Sequence, residues 1–90
     1  MAHQKEKTII CLKKAQTLTT KIIQMSDDNK YCIDIMQQNL AVIGLLKSAH
    51  QMMMEDHLNN CFYKAMKTNN EKRKQEMIDE ILKVCSLSNK

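Results

Sequence analysis

Residues 30–66 read KYCIDIMQQNLAVIGLLKSAHQMMMEDHLNNCFYKAM, a stretch with one glycine, Gly44, and no proline. Ile33, Met36, Leu40, Ile43 and Leu46 recur at steps of three and four, which is one stripe of an α-helix. Ile35, Val42, Leu45, Ala49 and Met52 run beside them and widen the apolar face. The pattern predicts a single helix from about 30 to 66. At ~1.5 Å per residue such a helix spans roughly 54 Å. Two short flanking helices cannot cover a rod of that length, and a large exposed apolar patch marks an interface. The expectation is an obligate oligomer in which long helices pack on one another as a bundle. The alternative is a helix broken near Gly44 that folds back on itself.

Outward from this stretch, two clusters of turn-forming residues divide the chain. They are Ser26-Asp27-Asp28-Asn29 and Thr68-Asn69-Asn70. Before the first, Cys11, Ala15, Leu18, Ile22 and Met25 form the stripe of a helix over about 5–25. After the second, Met77, Ile78, Ile81, Leu82 and Cys85 do the same over about 71–86. Asp27 and Asp28 are expected to cap the start of the long helix. The fold class is all-α, a three-helix protomer with one long central helix, and residues 1–90 make one domain.

Composition supports this. The chain has 90 residues, one glycine, no proline and 3% aromatics, with 43% hydrophobic residues. Sheet proteins need regular turn residues and nucleotide-binding loops need glycine clusters; neither is present. The longest apolar runs are four residues, far short of the ~20 of a spanning helix. No secretory signal opens the chain. A cytoplasmic protein without membrane contact is expected. Its four cysteines, Cys11, Cys32, Cys61 and Cys85, are then free thiols or metal ligands.

His57 and Cys61 stand four apart, on one face of a helix, where an imidazole nitrogen and a thiolate can grip one ion. Cys32 lies near the start of the same predicted helix, ~38 Å away along a straight axis. An antiparallel partner would bring its own Cys32 to that pair, building the site twice by two-fold symmetry. Thiolates select Cu(I), Zn or Fe–S. Three ligands favour Cu(I), whereas Zn would want a fourth, such as water or His3. The bland alternative is a surface histidine beside a buried, inert cysteine.

The segments Tyr31-Cys32-Ile33-Asp34-Ile35-Met36-Gln37-Gln38, Leu40-Ala41-Val42, Glu55-Asp56-His57-Leu58-Asn59-Asn60-Cys61-Phe62 and Glu76-Met77-Ile78-Asp79 closely resemble the copper-sensitive operon repressor family. The resemblance runs from residue 25 to about 84. It implies antiparallel dimers of long helices forming a four-helix bundle, two such dimers making a tetramer, and repression of metal-efflux genes with DNA released on metal binding. By the same resemblance, Cys32 is the ligand from one protomer and His57 and Cys61 are the pair from the other. Tyr31 and Glu76 match positions around the ligands that connect metal binding to the DNA-binding face. Cys-His-Cys resembles the copper-sensing branch of a family that also holds nickel/cobalt, formaldehyde and persulfide sensors.

Charge is uneven along the chain. Residues 1–25 carry Lys5, Lys7, Lys13, Lys14 and Lys21 against Glu6 alone, so helix 1 is the element expected to face a polyanion. Lys13 and Lys14 are the first candidates for contact with double-stranded operator DNA, with Lys21 and Lys47 behind them. Family members usually carry Arg and Gly in the stretch held here by residues 11–18, and the single arginine of this chain is Arg73. Lysine attracts phosphate but lacks the planar fork that grips guanine or phosphate bidentately. The leading expectation is a Cu(I)-responsive repressor acting as a homodimer or homotetramer. The alternatives are a copper-binding protein without operator binding, and a repressor of the same family sensing formaldehyde, persulfide or another metal. No nucleophile–base–orienter set can be read, so no enzyme activity is expected. Cys11, Cys85, the Met52-Met53-Met54 run and His50 are read as packing rather than chemistry.

Overall fold

The computed structural model describes residues 4–88, and His3, the possible fourth ligand, lies outside them. Among the described residues the secondary structure is helical and contains no strand. Helix α1 runs Lys5–Asp27 and α2 runs Cys32–His57. A π-helical turn, Leu58–Phe62, then leads into the short α3, Tyr63–Met66, and α4 covers Glu71–Ser88. The expected long helix thus exists with one local change of winding near its end. It passes through Gly44 unbroken, so the fold-back alternative is wrong.

The first turn differs from expectation in an instructive way. Asp27 is the last residue of α1 and Asp28 its C-cap, so neither caps α2. The chain stops there because Asn29 adopts φ 55°, the left-handed conformation that Asn tolerates better than most residues. The amide of Asn29 then donates to the carbonyl of Ser26 at 3.1 Å, and that of Lys30 to Met25 at 3.0 Å. These two bonds are a Schellman closure, which satisfies carbonyls that a helix end leaves open. Helix α2 starts afresh, with the Tyr31 carbonyl accepting from the amide of Ile35. Within α1, Thr8, Thr19 and Thr20 each donate from Oγ1 to the carbonyl four residues earlier.

The chain divides into two compact units, one holding α1 and α2 up to Glu55, the other running from Asp56 through α4. In the first unit α1 and α2 are antiparallel. Gln4, just before α1, donates from Nε2 to Glu55 near the far end of α2 at 2.8 Å. In the second unit α3 packs on α4 across the turn at 67–70. Thr68 Oγ1 donates to Ala65 O at 2.8 Å, and Asn70 Oδ1 accepts from the amide of Arg73 at 3.1 Å. Asn70 is therefore the N-cap of α4, as its place in the turn cluster predicts.

The buried apolar residues are small: Ala15, Val42, Ala49 and Ala65, joined by Met77. No large side chain is fully buried among the described residues. Met36 (56% exposed), Leu40 (66%) and Leu46 (45%), with Ile33 and Ile43, leave the leading stripe of α2 open. No described helix is long and apolar enough to cross a membrane.

The Asn70 cap gives a direct test of the second unit. Asn70→Ala is expected to cost about 1 kcal/mol in chemical unfolding, whereas Asn70→Asp, which keeps an acceptor at that position, stays within a few tenths.

Candidate metal centre and basic groove

His57 is the last residue of α2 and is half-buried. Cys61 lies four residues on, exposed, inside the π-turn. The defining bond of that turn joins the amide of Tyr63 to the carbonyl of Leu58, five residues back. In an α-helix of 3.6 residues per turn, four residues overshoot one turn. In a π-turn the hydrogen bonds reach one residue further, and four residues fall short of a turn. Cys61 is therefore rotated back around the axis from the place an unbroken α-helix would give it. Both side chains remain within about one turn of each other, as their spacing predicts.

Sequence reading missed this change of winding. Its visible signal was the Asn59-Asn60 pair, poor helix formers in the middle of a helical run. Asn60 Nδ2 donates to the carbonyl of Asp56 at 2.9 Å, inside the same turn. One turn on, the Lys67 ammonium lies 4.3 Å from the centroid of the Tyr63 ring.

Cys32 is the first residue of α2 and is exposed. All four cysteines are free thiols; Cys11 is half-buried and Cys85 exposed. Exposure of Cys85 departs from the packing role read for it. Among the described residues no three His, Cys, Asp or Glu side chains converge on one point. A single chain therefore offers the imidazole and one thiolate as a pair. An imidazole and a thiolate are donor types that soft metal ions accept.

Tyr31 precedes α2 and is 67% exposed. Glu76 accepts from Arg73 Nη1 at 3.4 Å, and Glu80 lies 3.6 Å from the same atom. The only arginine of the chain is thus engaged by two carboxylates on its own helix. These groups are about half exposed, and such pairs contribute little to stability.

The lysines of α1 are gathered rather than scattered. A groove of about 520 Å³ between α1 and α2 is lined by Ile10, Lys13, Lys14, Thr17, Leu18, Lys21 and Leu45. Three of the four lysines picked as DNA contacts share its lining. Lys47 is exposed on α2 and does not line it. An apolar floor edged by ammonium groups can hold a polyanion by its charges, but contains no guanidinium fork.

Known proteins resemble this chain along most of its length. The copper-sensing transcriptional repressor CsoR of Mycobacterium ulcerans (strain Agy99) is 33% identical over 82 residues, which cover 91% of this chain and 68% of that protein. The copper-sensing transcriptional repressor RicR of Mycobacterium tuberculosis (strain H37Rv) is 30% identical over 64 residues, 71% of this chain and 67% of the relative. CsoR of Bacillus subtilis (strain 168) is 28% identical over 83 residues, 92% of this chain and 79% of the relative. No solved structure matches significantly. The family model described as metal-sensitive transcriptional repressor matches residues 4–86. The chain belongs to the family of metal-sensitive transcriptional repressors.

Proposed function

We propose that the 90 residues act as one Cu(I)-responsive repressor domain that works in the cytoplasm as a homodimer or homotetramer. In this reading Cys32 of one subunit joins His57 and Cys61 of an antiparallel neighbour. The observation that carries it is the placement of the three donors. His57 and Cys61 stand together at one end of α2, and Cys32 is the first residue of that helix. A continuous helix of 26 residues separates Cys32 from His57 within a chain, ~38 Å at the usual rise. Antiparallel α2 helices remove that separation between chains. They also cover the open stripe of Met36, Leu40 and Leu46, in a four-helix bundle with α1.

Cu(I), when bound, supplies a soft centre that accepts two thiolates and an imidazole. The chain's own residues do the rest. His57 presents one ring nitrogen as ligand and keeps the other for a hydrogen bond, which fixes its tautomer. Glu76 and Tyr31 are the residues we assign to that outer layer. Donors drawn from two chains would link the start of one α2 to the end of the other, and a change of helix packing there would reach the α1 lysines. Lys13, Lys14 and Lys21, with Lys47 outside the groove, hold operator DNA by phosphate attraction in the metal-free state. The coupling is reciprocal: whatever factor metal takes from DNA affinity, DNA takes from metal affinity. No catalytic step enters.

A second reading is favoured by the scarcity of arginine: the one guanidinium, Arg73, stands on α4 beside Glu76 and Glu80 rather than among the α1 lysines. Without another arginine the chain would bind copper but read no operator. Exposed Cys32 also suits a third inducer class, formaldehyde or persulfide, within the same assembly.

Mixing subunits tests the ligand set. Cys32→Ala and Cys61→Ala homomers should each lose tight Cu(I) binding in competition with a chromogenic chelator. After unfolding and refolding together, half of the sites in each mixed dimer should return, because one intact set survives. No recovery on mixing excludes a site shared between chains. For DNA, Lys13→Ala combined with Lys14→Ala should weaken operator binding and flatten the salt dependence by about 1 unit of slope per lysine. Binding to candidate operators that Cu(I) does not weaken rejects copper sensing. Tight Cu(I) binding with only sequence-indifferent DNA association establishes the second reading. Mass spectrometry of aldehyde- or persulfide-treated protein reads the third, as a Cys32 adduct or a Cys32–Cys61 crosslink.

A further inference from the structure

Cys61 sits in the single π-turn of the described residues, directly after His57. Such turns are rare, occur mostly as one-turn insertions inside α-helices, and take in one extra residue. Asn59 and Asn60 make the turn easier to enter, since they lose little by leaving the α-helix. Asn60 goes further. Its side-chain amide donates to the carbonyl of Asp56 at 2.9 Å, part-buried. In an α-helix that carbonyl is the acceptor for the backbone amide of residue 60. A side-chain donor at the same carbonyl gives the backbone an alternative to the regular ladder and distorts the helix locally. Two residues after Cys61, the Tyr63 amide completes the turn by bonding to Leu58.

We propose that Asn60 is a positioning residue for the metal pair. Through the Asp56 carbonyl it holds the π-turn, and the turn sets the angle at which the Cys61 thiolate and the His57 imidazole face one ion. The role rests on the metal-binding reading above. With the amide gone, 58–62 relaxes toward an α-helix. Cys61 then rotates forward past His57, and every later residue turns by up to ~100° about the helix axis. The pair loses its fit to a shared soft ion even though neither ligand has changed. Asn60 touches no metal in this scheme; it acts through Cys61.

The test uses the full chain in four forms: unchanged, Asn60→Ala, Asn60→Asp and Asn59→Ala. Asp keeps the shape of Asn, but its carboxylate is an acceptor only. Three quantities are read: Cu(I) affinity against a chromogenic chelator, the sulfur-to-copper charge-transfer band, and amide exchange at Tyr63 in metal-free protein. Both Asn60 variants should bind Cu(I) roughly 10- to 100-fold more weakly, the cost typical of groups that orient a ligand. They should also shift the band and change the Tyr63 exchange rate, while Asn59→Ala, which alters helix propensity but removes no bond to Asp56, changes all three far less than either Asn60 variant. Asn60→Asp keeps the test open if Asn60→Ala does not fold. Unchanged affinity, or unchanged exchange at Tyr63, in a folded Asn60 variant overturns the positioning role and leaves the metal reading standing. An unchanged chain that does not bind Cu(I) through Cys61 brings down the metal reading, and this role with it.

Discussion

The structure depends first on how little one chain can bury. Its inward-facing positions are mostly alanines, and its larger aliphatic residues stand on the helix faces that remain open. Ile33, Met36, Leu40, Ile43 and Leu46 are each 40–66% exposed along one stripe of α2. Covering the exposed part of five such side chains is worth on the order of 5 kcal/mol. That is comparable to the entire stability of a small domain. A term of that size is large beside what one chain buries by itself.

The same economy decides where chemistry can be placed. Long helices carry residues far apart, so one helix can present a thiol at its start and a His–Cys pair at its end without bringing them into contact. The π-turn adds a finer control. One extra residue in the winding leaves the sequence spacing of His57 and Cys61 intact but alters the angle between them. The spacing of the two residues and the angle between them are thus set by different features of the chain.

Electrostatics is uneven along this chain. Its basic charge is concentrated on α1, where Lys13, Lys14 and Lys21 edge an apolar groove formed with α2. Ammonium groups attract phosphate without demanding a particular approach, so they favour docking and salt-sensitive affinity over base selection. The one guanidinium of the chain, Arg73, lies on α4 beside Glu76 and Glu80. Glu76 is engaged by Arg73 on its own helix.

Sequence alone determined the all-helical class, the passage of the long helix through Gly44, the turn at 67–70 with its Asn cap, and the basic character of α1. Each follows from local chemistry: apolar periodicity, the absence of proline, the reach of a short polar side chain, and charge counted along the chain. It also determined the family, through the Tyr31-Cys32 and His57–Cys61 segments. Tertiary structure alone decided where α1 ends, because Asn29 in its left-handed conformation closes the helix beyond the two aspartates. It decided that three lysines share one groove, since that needs two helices side by side. And it decided the winding at 58–62, because a helix can absorb one extra residue without changing its apolar pattern, so only backbone hydrogen bonds in space distinguish the two forms.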